Sequence, residues 1–133
     1  MTATEKSKPF QPSLPTSEEF SRSLGHVTWL MTQSPHHKKR QIELIEAHVI
    51  APLMFKQVRV YLNGKQPLAA VIWASVSDVV KEKLEAGGYI MQLQDWRSGP
   101  EVVVVDCVSP LGDPKVFTEK FIAQVEAAQQ TKT

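Results

Sequence analysis

Residues 57–76 read QVRVYLNGKQPLAAVIWASV, and this stretch decides the fold. Two runs rich in β-branched and aromatic residues flank Asn63, Gly64 and Lys65, and an Asn-Gly pair tolerates the positive φ angles of a tight hairpin turn. The pattern therefore predicts two antiparallel strands. A second β-branched run, EVVVVDCV at 101–108, has the length and composition of a central strand buried on both faces.

Helices are predicted on both sides of this hairpin. Thr16, followed three residues later by Glu19, is a capping-box pattern that opens the first helix. Ser34 and Pro35 predict the N-cap and first turn of a second helix, and Ser77 predicts the N-cap of a third. The apolar positions expected to face inward are Phe20, Leu24, Val27 and Met31 in the first helix, and Ile42, Ile45, Val49 and Pro52 in the second.

The segments after the third helix complete an α+β prediction. Residues 89–96, YIMQLQDW, predict a further strand, and Asp113 with Pro114 opens a last helix. The inward face of that helix is expected to hold Val116, Phe117, Phe121, Ile122 and Val125. The expected fold is a mostly antiparallel central sheet flanked by helices.

Domain boundaries follow from composition. Residues 1–15 hold three prolines and few large apolar side chains, so this segment is predicted to be disordered. A single domain is expected over 16–128, because 133 residues with 42% hydrophobic content suit one core. Residues 129–133 are predicted to be a polar tail.

Charge and cysteine content limit the classes of function. Fifteen basic against fourteen acidic residues give a net charge of +1, which argues against the broad cationic surface of a nucleic-acid-binding protein. The single Cys107 cannot form an internal disulfide, and no run approaches the roughly 20 apolar residues of a membrane span. The N-terminus lacks the apolar core of a secretory signal. A cytoplasmic protein is expected.

The segment SPHHKKR, residues 34–40, crowds three cations at the predicted start of the second helix. The positive end of the helix dipole favours an anionic partner there, and it also favours a neutral imidazole that can accept a proton at His36 or His37. A solvated basic surface is the simpler interpretation. A metal site is not predicted, because neighbouring helical residues point about 100° apart and no further ligand completes a set.

Asp106 directly follows four valines on the strand expected to be most buried. Burial of a lone carboxylate is costly, so Asp106 must be paired, hydrogen-bonded or at a strand end where a site opens. Beside a neutral histidine, a carboxylate would orient the imidazole and stabilise it once protonated. Cys107 points to the opposite face of the strand and is expected to pack rather than react.

Four motifs together resemble the toxin-activating lysine acyltransferases, the family that acylates hemolysin-like RTX protoxins. They are LGHVTWLMTQSPHHKKR at 24–40, IWAS at 72–75, DWRSG at 95–99 and VVDCVSPLGD at 104–113. Their order and spacing are similar to those of the family, and the similarity covers about residues 24–121.

This resemblance implies catalytic roles for three residues. The family's essential histidine lies three residues after the serine of a Ser-Pro element, which selects His37 over His36 and gives Ser34 the supporting serine position. The family's catalytic aspartate precedes a Pro-x-Gly-Asp turn and corresponds to Asp106. His37 would take the proton of the attacking lysine, and an acyl-histidine intermediate stays an alternative.

The resemblance also implies partners. It implies a fold like that of the Gcn5-related N-acyltransferases, no bound cofactor, acyl-[acyl carrier protein] as co-substrate, and internal lysines of an RTX protoxin as acceptors. Lys38, Lys39 and Arg40 would attract an acidic carrier protein. The alternative is a non-catalytic module that binds the carrier protein. The chain ends sooner after the Pro-x-Gly-Asp turn than family members do. The resemblance therefore does not decide where the toxin binds or whether the chain forms a homodimer.

Overall fold

The structure is a computed structural model that describes residues 15–131, and it describes side chains as far as Gln129. The predicted hairpin is present. Strand β1 covers Val58–Asn63 and strand β2 covers Gln66–Val76, and the two pair in an antiparallel register that sets Val58 opposite Ile72. Gly64 occupies the turn with φ of 63°. The predicted disordered segment 1–15 lies outside the described residues except for Pro15.

The third strand, β3, covers Glu101–Val108 and pairs antiparallel with β2, so the described sheet has the order β1-β2-β3. The prediction that 101–108 is a central strand buried on both faces was wrong. Strand β2 takes the centre because β1 and β3 flank it. Among residues 15–131, β3 pairs along one edge only, and all its residues before Val108 keep some exposure.

Within residues 15–131, four helices pack around the sheet. They are α1 over Ser17–Thr32, α2 over Ile42–Met54, α3 over Asp78–Ala86 and α4 over Pro114–Thr131. The central part of α2, Glu46–Ile50, is π-helical. The capping box between Thr16 and Glu19 is present, and Ser77 caps α3 through the Val80 amide. The predicted α+β architecture with an antiparallel sheet is confirmed. No helix in residues 15–131 is long and apolar enough to cross a membrane.

The second helix begins later than predicted. Residues 35–39 form turns, and α2 starts at Ile42 after an N-cap at Gln41. The amides of His37 and Lys38 both donate to the Ser34 carbonyl, which closes a turn rather than starting a continuous helix. As a result Ile42, predicted to be buried, is 84% exposed.

The segment 89–96 is not a strand. The Asp95 carboxylate accepts hydrogen bonds from the Gln92 amide and the Tyr89 hydroxyl, and these contacts fold the segment onto itself. It ends in a short 3-10 helix, Leu93–Trp96. Local polar contacts therefore replace the strand ladder that the apolar pattern suggested.

The main core lies between one sheet face and helices α1 and α2. Its fully buried members include Val27, Leu30, Val49, Ala70, Ile72, Ala74 and Trp96. Helix α4 covers the other face with a narrow contact, in which Phe121 packs against Trp73. Because the contact is narrow, Val116 and Ile122 remain exposed, contrary to their predicted inward placement.

Candidate active site

The turn that follows α1 holds two buried polar side chains. Ser34 is 6% exposed and His37 is 4% exposed. The Ser34 amide bonds to the Met31 carbonyl at 3.1 Å, which ties the turn to the end of α1. Polar groups so deeply buried need hydrogen-bond partners, and both have them.

A chain of hydrogen bonds joins this turn to β3. Ser34 Oγ lies 2.7 Å from His37 Nδ1, and His37 Nε2 lies 3.0 Å from both carboxylate oxygens of Asp106. Arg40 Nη1 donates to Asp106 Oδ2 at 3.0 Å, and the Cys107 amide donates to Asp106 Oδ1 at 2.8 Å. The structure thus brings together Ser34, His37 and Asp106, the three residues predicted for catalysis.

The geometry determines which ring nitrogen of His37 donates a hydrogen bond and which accepts one. An ionised carboxylate only accepts, so the contact with Asp106 requires a proton on Nε2. In the neutral ring Nδ1 then accepts from the Ser34 hydroxyl. A hydroxyl both donates and accepts, so Ser34 can also serve the other tautomer. The ring can therefore exchange protons without losing this partner.

A β-bulge aims the Asp106 carboxylate at the turn. The β2–β3 register shifts by one residue, which leaves Val105 without a Cα partner. Strict alternation would turn Val105 and Asp106 to opposite faces. With the bulge, Asp106 pairs with Ile72, a core residue, while Val105 packs against the same core. Both side chains therefore face the side of His37, and bulges recur beside active sites for this reason.

The electrostatics favour an ionised Asp106. Burial raises the pKa of its carboxyl, but hydrogen bonds and charge from His37 and Arg40 outweigh burial and hold the pKa below its usual range. Cys107 behaves differently. Its Sγ contacts the Pro114 carbonyl under α4, and burial raises the pKa of its thiol. The expectation that Cys107 is not a nucleophile agrees with this setting.

The other residues singled out in the sequence differ in their exposure and in their contacts with this network. Lys38 and Lys39 are exposed, whereas Arg40 is partly buried and its guanidinium is paired with Asp106. His36 is exposed, and its ring meets His37 edge-on with ring centroids 4.8 Å apart. Within residues 15–131 no group of three or more His, Cys, Asp or Glu side chains could hold a metal ion.

A cavity of about 470 Å³, here called the active-site cavity, opens onto the network. Its polar wall includes Arg40, Asp106 and His48, and its apolar wall includes Leu44 and Ile90. The sequence pattern offers no functional signal for His48, because an isolated histidine is typical of either a packing or a surface residue. His48 Nε2 accepts from the Met91 amide at 3.0 Å. Burial, and then the charge of Arg40, lower the pKa of His48, which suits its acceptor role.

Comparison with known proteins decides the family. A sequence model of the RTX toxin acyltransferase family matches residues 16–133. The chain belongs to this family. The match includes the turn and the strand that carry the hydrogen-bond network.

Individual relatives within the family are distant and longer. The RTX-III toxin-activating lysine-acyltransferase of Actinobacillus pleuropneumoniae is 28% identical over 68% of this chain and 53% of its own length. The serotype A11 leukotoxin-activating lysine-acyltransferase of Mannheimia haemolytica is 27% identical over 79% of this chain and 63% of its length. A protein-lysine myristoyltransferase of Kingella kingae is 28% identical over 77% of this chain and 60% of its length. The chain thus spans between half and two thirds of these relatives.

Proposed function

We propose that this chain transfers a fatty acyl group from acyl carrier protein to the ε-amino groups of internal lysines in an RTX-type protoxin, and thereby activates the toxin. The observation that carries the proposal is the hydrogen-bonded chain Ser34–His37–Asp106 beside a cavity. Family membership supports the reaction type, since relatives are named as toxin-activating lysine acyltransferases and one as a lysine myristoyltransferase.

The reaction exchanges a thioester for an amide. The lysine nitrogen forms a C–N bond to the acyl carbon, the C–S bond to the carrier's thiol breaks, and the thiolate leaves with a proton. A free lysine has a pKa near 10.4, so the ammonium must lose a proton before it can attack. A base beside an anionic group that first holds the ammonium meets this need.

The three residues divide this work. Of Ser34, His37 and Asp106, Asp106 is the one that lines the cavity, and its carboxylate would receive the lysine ammonium. His37 Nε2 lies 3.0 Å from that carboxylate. With the ammonium bound to Asp106 in place of the ring N–H, the neutral Nδ1–H tautomer, which donates to Ser34, would leave Nε2 unprotonated and able to take one ammonium proton. Ser34 would thus act as a positioning residue that supports both tautomers of the ring. The imidazolium would then return its proton to the departing thiolate.

The geometry favours proton transfer over an acyl-histidine intermediate. His37 is 4% exposed, and both ring nitrogens already have hydrogen-bond partners. Attack on a thioester would require a bare nitrogen facing the cavity, which His37 does not line. General-base catalysis needs only that a proton pass to His37 Nε2 from an ammonium held at the Asp106 carboxylate, which lies 3.0 Å from that nitrogen.

The exposed lysines of the turn support an acidic donor. Lys38 and Lys39 are free of ion pairs with the described residues and lie next to the network. Acyl carrier proteins are acidic, so these charges would guide the carrier to the cavity entrance. Arg40 is occupied by Asp106 and would contribute less to docking.

The test is co-expression with an RTX protoxin, followed by mass spectrometry of the toxin. We expect the wild-type chain to add fatty acyl mass on lysine, and His37→Ala to reduce the modified fraction by about a hundredfold or more. His36→Ala is the matched control, because His36 is the neighbouring histidine and lines the same cavity, but it is exposed and outside the Ser34–His37–Asp106 hydrogen bonds.

The outcomes separate the alternatives. No added mass with wild type rules out the proposed reaction for that toxin. Loss with His36→Ala but not with His37→Ala rules out the assignment of the base. Carrier binding without any acyl transfer indicates the non-catalytic module instead.

A further inference from the structure

A second cavity lies along helix α2. Its volume is about 510 Å³, and we call it the α2 groove. The floor is apolar and partly or fully buried, formed by Leu44, Ala47, Ala51 and Met91. The rim is polar and exposed, formed by side chains such as Glu43. An apolar floor below a polar rim is the usual form of a site for an apolar ligand.

The α2 groove continues from the active-site cavity. Leu44 and Ile90 line both cavities, so the two cavities are neighbours with these two side chains at their common boundary. The active-site cavity contains Asp106 and the α2 groove does not. A molecule whose reacting carbon lies near Asp106 would reach the α2 groove by passing along Leu44 and Ile90.

The α2 groove carries apolar surface that folding does not explain. Ile90 is 50% exposed and Leu93 is 61% exposed, and both line it. Adjacent exposed apolar side chains in a concave site are typical of ligand-binding surfaces. The wall is also preformed, because the Met91 amide is bonded to His48 and the Gln92 amide to Asp95.

We propose that the α2 groove holds the fatty chain of the acyl donor, with Ala47 and Ala51 setting the accepted chain length. This inference rests on the proposed function. Ala47 lies three residues beyond Leu44 and Ala51 seven, which corresponds to roughly 5 and 10 Å along a helix. A larger side chain at Ala47 fills the groove near the reacting end, and one at Ala51 fills it further out.

The other direction from the active-site cavity suits an alkyl chain less well. Leu84 and Val105 also line hollows along the edge of β3 that has no strand partner among residues 15–131. A free strand edge presents backbone N–H and C=O groups, which an alkyl chain cannot satisfy. Charged side chains, including Lys81, Glu101 and Glu126, also line these hollows. These hollows therefore suit a peptide better than a lipid chain.

The closing experiment measures binding, so it does not depend on turnover. The full chain is titrated with carrier proteins that bear long or short acyl groups through a stable amide in place of the thioester. We expect wild type to bind the long-chain carrier more tightly. Ala47→Leu should reduce this long-over-short preference about tenfold, since buried methylenes discriminate by about that factor. Ala51→Leu should reduce it less.

Ile122→Trp and Ile90→Trp form a matched pair. Ile122 lies in the hollow along β3 and is 43% exposed, close to the 50% of Ile90 in the α2 groove. We expect Ile90→Trp to change the chain-length preference and Ile122→Trp to leave it unchanged. Circular dichroism of each variant checks that the fold is retained.

Three results would overturn the inference. They are wild-type binding that ignores chain length, a preference unaffected by Ala47→Leu, and a preference altered only by Ile122→Trp. Failure of the proposed function gives a different result: long chains bind through the α2 groove, yet the natural thioester donor transfers nothing to protoxin.

Discussion

Strands β2 and β3 are neighbours in one sheet, yet β2 is mostly buried in the core and β3 is partly exposed. Most β2 residues from Ala69 to Val76 are fully buried, with mixed small, branched and aromatic side chains. Strand β3 has the more uniform apolar run, four consecutive valines, and all four remain partly exposed. An apolar run therefore does not by itself identify the centre of a sheet.

The contrast follows from what each strand touches. β2 has a paired strand on both edges, so its backbone is satisfied and its side chains complete the core. β3 has one paired edge, a bulge at Val105 and a charged residue at the next position. These features weaken a strand as a core element and allow Asp106 to face His37 beside a cavity.

The largest expected difference comes from the same substitution in both strands. Val71 in β2 is fully buried, so Val71→Ala should lower the free energy of unfolding by about 2–3 kcal/mol, from lost burial and the resulting cavity. Val104→Ala in β3 should cost about 1 kcal/mol, because this side chain is partly exposed. Urea unfolding of both variants gives the two values.

Equal losses of unfolding free energy in Val71→Ala and Val104→Ala would contradict the contrast between β2 and β3. They would mean that β3 is as well covered in solution as β2, for example by a second copy of the chain. Size-exclusion chromatography with light scattering on the same samples would detect such a copy.

A smaller effect is expected at the end of β3. Asp106→Asn keeps the shape of the side chain but removes the charge that accepts from His37 and Arg40. Loss of these charge-assisted hydrogen bonds should lower the free energy of unfolding by about 2 kcal/mol at pH 7. Asp113→Asn is the control. Asp113 is exposed, and an asparagine keeps the acceptor for the Lys115 amide, so the change should stay within about 0.5 kcal/mol.

The pH dependence has a defined sign. The pKa of Asp106 is lower in the folded protein than its ordinary value, so its charge stabilises the fold above the ordinary pKa of about 3.9. That stabilisation is lost as pH falls through the lowered folded value. The gap between wild type and Asp106→Asn should therefore shrink as pH falls below about 4. A gap that widens below about pH 4 would contradict the assignment.

Local sequence signals predicted the elements that depend on local contacts. The Asn-Gly turn, the capping box at Thr16 and the cap at Ser77 all appear in the structure. The family motif and the residues together selected His37 and Asp106, whose side chains are in contact. Their catalytic roles stay predictions until transfer is measured.

Particular side-chain contacts, both within a segment and between distant segments, could not be predicted in the same way. Residues 89–96 follow an apolar pattern, but the side chain of Asp95 closes the segment on itself. The bulge at Val105 leaves no trace in a run of identical valines. The role of His48 in fixing a cavity wall depends on an amide 43 residues away. The first outcome depends on local side-chain hydrogen bonds, and the other two depend on tertiary packing, rather than on propensity.

The most direct test of the central claim asks whether His37 and Asp106 act as one unit. Acyl-transfer rates from carrier protein to protoxin are measured for wild type, His37→Ala, Asp106→Asn and the double variant, with Cys107→Ser as a control on the opposite face. We predict that each single change lowers the rate by about a thousandfold and that the double change lowers it little further, because residues of one unit are non-additive. Cys107→Ser should stay within about twofold. Multiplying effects in the double variant would contradict the account.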